Sequence, residues 1–422
     1  MAIMKNEELK KLPSKFNLEQ FDISVFAKDR IRDMFRAGKL PTADAMVDEI
    51  VLRALKEGAS DIHFEPTDTE LRVRLGYEGV MKKLVSLPRD ISENLANVLK
   101  TKSGLNVFEK KKAQEGRFTI NVSGIVLDLR INTLPAVAGE RIVLRLLTKA
   151  SHIAKLEDIG LSESSMEKFM KLLYRPTGLL LITGPAGGGK TATAYAALNK
   201  LNKPENNIFT VENLIEFKLE FASQIQPSAD KTFTTADALR AILRQSPNVI
   251  LVGDIRDTET ANIAAEAGFT GTLVISTLLS SDAIGTIPRL LNLGISPYWL
   301  ASSLAGIVHQ QLVRKICESC KEEYQALPEE INRLGTGSWG QTTFFRGKGC
   351  DACNGTGYRE RTAIHEVLVI NDQLRDLIYE QAPSVKLKEA ALNSGFEDIR
   401  TDARNKVNEG ILTIAEFVRA LG

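Results

Sequence analysis

The stretch "LLLITGPAGGGKTATAYAAL", residues 179–198, constrains this chain more than any other feature. An apolar run enters a glycine-rich turn, and a helix-like run leaves it. Gly184, Gly189, Lys190 and Thr191 fit G-x-x-x-x-G-K-[ST] in the strand–turn–helix setting that the pattern requires. The full loop reads Gly184, Pro185, Ala186, Gly187, Gly188, Gly189, Lys190, Thr191. Residues without Cβ let consecutive N–H groups turn inward around phosphate oxygens. The following helix points the positive end of its dipole at the same anion. Lys190 can reach the β- and γ-phosphates, and the Thr191 hydroxyl can ligate Mg²⁺. The bland alternative is a glycine-rich turn with an accidental Lys-Thr, which has to coincide with the correct flanks on both sides. The expectation is bound ATP with Mg²⁺.

From about residue 160 helical segments alternate with the apolar runs "LLLIT", "NIFTVE", "NVILVG" and "GTLVIST". Strands buried on both faces read as continuous apolar runs, so these predict a parallel α/β sheet. A smaller α+β region precedes it. Residues 41–60 suggest an amphipathic helix with Met46, Ile50, Leu52 and Leu55 on its apolar face. "ELRVRL" alternates, and "RFTINVSGIVLDLRIN" alternates on both sides of Ser123-Gly124, which predicts a hairpin. The expected organisation is a short helical segment over 1–44, the α+β domain over 45–147, a linker over 148–160, the α/β core with the glycine-rich loop over 161–312, a cysteine-bearing region over 313–369 and a helical end over 370–422. The mixed-charge stretch "AKDRIRDMFRAGK" fits a solvated helix better than a docking element.

The four cysteines come as "CESC" (Cys317, Cys320) and "CDAC" (Cys350, Cys353), with 29 residues between the pairs. Two C-x₂-C knuckles suit a closed, structural tetrahedral Zn²⁺ site. Disulfides and redox-active pairs are the rivals; a reducing compartment disfavours the former. Lys315, Lys321 and Lys348 are near enough in sequence to offset the charge of four thiolates. The net charge of +1 provides no global basic field for nucleic acid. No apolar run approaches membrane-spanning length, and "MAIMKNEELKK" lacks a signal-peptide core. The expected location is the cytoplasm, with any membrane contact made through partners.

A phosphate-loop enzyme also needs a carboxylate at the end of a neighbouring strand. Asp254 follows the run 249–252 directly, and Glu212 follows another strand, with Glu216 farther on. At this point the chain resembles a known family, the hexameric ATPases of type II secretion and type IV pilus assembly. The resemblance runs from about residue 45 to 422 and rests on "ASDIHFEP", "AQEGRF", "DLRINTLPAVAGERIVLRLL", the phosphate loop, "TVENLIEF", "LRAILRQSP", "LVGDIRDTETANIAAEAGFTG" and the cysteine pairs ending in "NGTGYRERTAIHEVL". It implies a PAS-like α+β domain joined to a RecA-like ATPase domain. It also implies a ring of six, homomeric or mixed with a sister ATPase, that acts on an inner-membrane platform protein. By the same resemblance Arg130, Arg145, Arg240 and Arg244 reach the phosphates, and Glu212 and Asp254 are the catalytic acids.

The sequence departs from that pattern where hydrolysis is carried out. Asp254 stands for a glutamate, Asn213-Leu214 for Asp-Pro, Thr272 and Leu279 for histidines, Ala186-Gly187-Gly188 for Thr-Gly-Ser, and Gly76 for an arginine. About 40 residues occupy the place of a large N-terminal docking domain. The expectation is an ATP-binding assembly motor with weakened hydrolysis. The rivals are a non-catalytic nucleotide-binding paralogue and, against the charge, a nucleic-acid translocase.

Overall fold

A computed structural model describes residues 42–77, 80–122, 124–147, 155–228, 232–335 and 343–422. The expected helical segment before residue 42 and most of the expected linker lie outside the described residues. The chain divides into two compact units, between Ala150 and Ser151.

In the first unit, helix α1 (Ala43–Glu57) precedes strands β1 (Asp61–Pro66), β2 (Glu70–Tyr77) and β3 (Val80–Pro88). Helix α2 (Ile91–Lys102) and strands β4 (Gln114–Val122), β5 (Ile125–Ala136) and β6 (Gly139–Leu147) follow. The strands form one antiparallel sheet, β3-β2-β1-β6-β5-β4. Strict alternation decides its two faces. Phe118, Ile120, Leu127, Leu129, Ile131 and Leu144 turn to a core that α1 closes with Met46, Val47, Ile50 and Val51. The predicted hairpin forms, with Phe118 opposite Leu129 and Ile120 opposite Leu127. The other face is ionic. One row across the strands reads Gly76, Asp61, Arg145, Arg130, Arg117.

The second unit contains α3 (Glu163–Leu173), β7 (Gly178–Gly184), α4 (Lys190–Leu201), β8 (Ile208–Val211), β9 (Ser223–Ile225), α5 (Thr235–Leu243), β10 (Val249–Asp254), α6 (Thr258–Phe269) and β11 (Leu273–Leu279). It continues with α7 (Ala283–Asn292), α8 (Pro297–Ser303), β12 (Leu304–Ile316), β13 (Lys321–Gln325), α9 (Pro328–Asn332), β14 (Thr343–Gly347) and β15 (Tyr358–Val369). Helices α10 (Asp372–Tyr379), α11 (Ser384–Asn393), α12 (Ile399–Asn408) and α13 (Ile414–Leu421) end the chain. The large sheet has the order β15-β12-β7-β11-β10-β8-β9. All its pairings are parallel except that of the edge strand β15. The apolar runs are central because both faces are covered. Leu179 and Leu181 pack towards α5–α8, α10 and α11, while Leu180 and Ile182 pack towards α3 and α4. Burying each such leucine contributes about 1.5–3 kcal/mol before entropy is counted.

The cysteine region is an excursion between two strands of this sheet. The long strand β12 leads straight into Cys317, and β15 leaves shortly after Cys353. Between them β13 and β14 form a small hairpin. A separate core joins Phe344 of that hairpin to Val313, Ile364, Ala403, Val407 and Phe417. Among the described residues no helix is long and apolar enough to cross a membrane.

Candidate functional site: a phosphate loop at the carboxyl ends of parallel strands

The loop leaves β7 where backbone space is smallest. At Gly184 φ is +152°, and a Cβ there would lie 2.2 Å from the Gln310 carbonyl oxygen. Gly189, at φ +84°, is the N-cap of α4. That helix has neither a side-chain cap nor an acid in its first turn. Its first N–H groups and its dipole therefore face the hollow of the loop. Lys190 curls into the same hollow and donates to the carbonyls of Pro185 at 2.8 Å and Gly184 at 3.2 Å. Burial lowers its pKa, and the charge of Asp254 partly offsets this.

Asp254 is placed by a register shift. Val252 pairs with Ser276, but Asp254 pairs with Thr277, so β10 bulges at Gly253. Bulges re-aim a side chain at the end of a strand. The Thr277 hydroxyl donates to Asp254 at 2.5 Å and Arg256 donates at 3.1 Å. Burial alone would raise the pKa of Asp254. The bonds from Thr277 and Arg256 and the charge of Lys190 outweigh it and hold the carboxyl below its ordinary value.

The other acids divide. Glu212 is buried and accepts from Tyr195 at 2.6 Å and Thr210 at 2.7 Å. Burial raises its pKa against those bonds, and the nearby charge of Glu216 adds to the rise. Glu216 is exposed and accepts from the Thr191 hydroxyl at 3.3 Å. Glu216, not Glu212, is therefore the acid in contact with the hydroxyl expected to ligate Mg²⁺. Leu279 is 41% exposed at the end of β11, where its register partner is Gly184.

The arginines fall in two places. Arg240 lies on α5 and pairs with Glu259 at 2.5 Å, and Arg244 is the C-cap of that helix. Arg130 and Arg145 are neighbours on the ionic face of the first unit, paired with Glu115 and, at 2.8 Å, with Asp61. Arg117 shares their row and bonds Asp128. The sequence reading missed Arg117, although its position opposite Arg130 follows from the hairpin register. It also missed Gln310, which donates to the Gly188 carbonyl at 2.7 Å and clamps the loop from β12. No local pattern announces a contact between residues so far apart in the chain.

Cys317, Cys320, Cys350 and Cys353 bring their Sγ atoms within 4.8 Å of one another. Neighbouring Sγ atoms are 3.7, 3.8 and 3.9 Å apart. A disulfide needs about 2.05 Å, whereas a tetrahedron with Zn–S bonds of about 2.3 Å has edges of about 3.8 Å. The N–H groups of Cys350 and Gly357 point at the Cys353 sulfur. Burial raises its pKa, but these donors and the neighbouring thiols bring it down to about 6. The nearby lysines have other partners: Lys315 pairs with Glu360, Lys321 with Glu318 and Lys348 with Glu322.

A family described as "Type II/IV secretion system protein" matches residues 37–419. The chain belongs to this family. It is 42% identical to the type II secretion system protein E of Pseudomonas aeruginosa over 89% of this chain and 74% of that one. It is 40% identical to the type IV pilus assembly ATPase PilB of Thermus thermophilus, over 89% of this chain and 42% of that one. Among solved structures it resembles the pilus retraction motor PilT with bound ADP, at 26% identity and a TM-score of 0.60, covering 88% of this chain and 96% of that one. The fold and the four-cysteine group thus occur in a member of a secretion and pilus ATPase family.

Proposed function

We propose that this chain is an assembly motor of the type II secretion or type IV pilus kind, which binds Mg–ATP in the 184–191 loop and hydrolyses it slowly. The observation that carries this reading is the geometry of the cradle: an uncapped α4 N-terminus with the Lys190 ammonium resting on the loop's own carbonyls. A triphosphate would draw Lys190 off those carbonyls and supply the charge that the helix end favours.

In the proposed site Lys190 neutralises the β- and γ-phosphates. The Thr191 hydroxyl, with Glu216 and Asp254 through water, would hold Mg²⁺, which supplies charge neutralisation on the transferring phosphoryl group. Asp254 orients the attacking water. Glu212, tied to Tyr195, supports the strand end. Arg130, Arg145, Arg240 and Arg244 are proposed to meet phosphates where subunits of a hexamer adjoin. The four cysteines suit a structural Zn²⁺ that fastens the β13–β14 hairpin. Slow turnover is supported by the short Asp254 arm and by Leu279, which has no donor for a γ-phosphate. The motor would work at the cytoplasmic side of an inner membrane through a platform protein.

Two measurements test the reading. Lys190→Ala is expected to abolish or greatly weaken Mg–ATP binding in calorimetry, and unchanged affinity would refute the site. Steady-state ATPase assay of the pure protein separates a slow motor from a non-catalytic paralogue, which binds ATP but shows no turnover that depends on Lys190.

A further inference from the structure

One row of the large sheet turns polar where it leaves the phosphate loop. Leu278 of β11, Thr183 of β7, His309 of β12 and Glu366 of β15 are register partners across four strands. Thr183 and His309 are hydrogen-bonded at 3.1 Å. Burial takes His309 down to about 4, so it is neutral at physiological pH. Glu366 ends the row and is 4% exposed.

The Glu366 carboxylate is held by two helix beginnings. Its Oε1 accepts the N–H of Ala283 at 2.5 Å, and its Oε2 accepts the N–H of Ile399 at 2.9 Å. Ala283 is the first residue of α7 and Ile399 the first of α12. Each helix already has its own cap: Asp282 accepts from Gly285, and Asp398 accepts from Thr401. Glu366 therefore adds a bond from outside to each of two capped helices. The positive ends of two helix dipoles offset part of the cost of burying its charge. Burial nevertheless raises its pKa to about 7, against the bonds from Ala283 and Ile399 and with the charges of Asp282 and Asp398.

The two helices come from different parts of the second unit. Helix α7 follows β11 after only Ser280, Ser281 and Asp282. At that end of β11, Leu279 pairs with Gly184 and Thr277 holds Asp254. Helix α12 packs through Ala403 and Val407 in the core that contains Phe344 of the cysteine hairpin.

We propose that Glu366 is a positioning residue for the nucleotide site: by holding the first N–H of α7 and of α12 on one carboxylate, it sets the 280–282 turn and the end of β11 against the C-terminal helices. This rests on the reading of the 184–191 loop as an ATP site. Glu366 touches no nucleotide. It acts through β11, on the side of the loop where the γ-phosphate is expected.

Three variants of the full chain test it. In Glu366→Gln, one amide oxygen serves one N–H while the amide NH₂ meets the other donor to donor. Ala283→Pro and Ile399→Pro each delete one of the two donors and leave the carboxylate intact, the second also trimming a side chain packed on the core around Phe344. Proline is tolerated at the first position of a helix. The residues before them, Asp282 (φ −164°, ψ 170°) and Asp398 (φ −75°, ψ 162°), are extended as a pre-proline residue prefers.

The measurements are ADP affinity by calorimetry, the single-turnover rate per bound ATP, and amide hydrogen exchange at 283–286 and 399–402. The expected result is ADP affinity within about threefold of wild type and a turnover rate lower by about tenfold or more in all three variants, since misplacing a site by about 1 Å costs up to roughly 10²-fold. Exchange in Glu366→Gln should quicken at both helix beginnings. A merely structural role would lower the melting temperature without changing turnover per bound ATP. Wild-type turnover in both proline variants, or unchanged exchange at the two helix beginnings in Glu366→Gln, overturns the inference. If Glu366→Gln fails to fold, the proline variants decide. A wild-type chain that binds no nucleotide instead removes the ATP-site reading and this inference with it, an outcome visible before any variant is made.

Discussion

At the scale of single residues, the question is what an aspartate does at a position where the resemblance implies a glutamate. The side chain is shorter by one methylene, on the order of 1.5 Å. The backbone compensates in part: the bulge at Gly253 lets Asp254 meet Thr277 and feel the charge of Lys190. Leu279 receives no such compensation, since an alkyl group cannot donate at any distance. Asp254→Glu together with Leu279→His is therefore expected to raise the ATPase rate by at least about tenfold, equivalent to roughly 1.4 kcal/mol of barrier. ATP affinity should change little, because the loop is untouched. A wild-type rate of about 1 s⁻¹ or more, which is ordinary for enzymes, would show that the bulge has restored full competence to Asp254. Asp254 and Leu279 could both be singled out from the sequence, Asp254 by its place at a strand end and Leu279 by the resemblance. The bulge could not, because a register shift is a relation between β10 and β11.

At the scale of elements, β12 and β15 carry the C-terminal module, and two devices hold it. The first is the four-sulfur cluster. One zinc per chain is expected by metal analysis, and Cys350→Ser should lose it and loosen the β13–β14 hairpin, since three thiolates no longer close a tetrahedron. Less than about half a zinc per freshly purified chain would count against the site. The second device is Glu416 of α13, which accepts from the backbone and guanidinium of Arg314 on β12 and from Arg419. Burial raises its pKa, but these partners outweigh burial and hold the carboxyl below its ordinary value. Its contribution is therefore present above the unfolded carboxylate pKa and is lost as pH falls through the lower folded value. Glu416→Gln should destabilise the second unit by about 3 kcal/mol at pH 7, as breaking a buried pair does. Urea unfolding should show this deficit shrinking as the pH is lowered below the ordinary carboxylate range; a deficit independent of pH would mean that shape, not charge, is at stake.

At the scale of the whole molecule, the ionic face of the first unit is the feature hardest to assign to a solitary chain. Arg145, Arg130 and Arg117 stand side by side across three strands. Like charges placed opposite one another cost stability, and within the chain Asp61, Glu115 and Asp128 each pair with one of the three arginines. A phosphate-bearing neighbour would give the row a use. A nucleotide-promoted hexamer is expected by light scattering with a non-hydrolysable ATP analogue, and Arg130→Ala with Arg145→Ala should weaken its formation. A strict monomer at tens of micromolar with nucleotide would point to an obligatory partner instead.

The phosphate loop, the apolar strands, the 118–131 hairpin and the paired cysteines could all be read in advance. Each is a local pattern whose meaning depends on neighbours a few residues away: strand period, loop spacing, knuckle spacing. The sequence by itself thus determined the class of sheet, and it marked out the loop proposed for a nucleotide and the four cysteines proposed for a metal. Only the tertiary structure decided that Glu216 rather than Glu212 touches Thr191, that Gln310 clamps the loop, that the cysteine region springs from two strands of the central sheet, and that one buried glutamate joins α7 to α12. These are contacts between residues distant in the chain, selected by strand register and by the need to satisfy each buried polar group, and no local pattern encodes them.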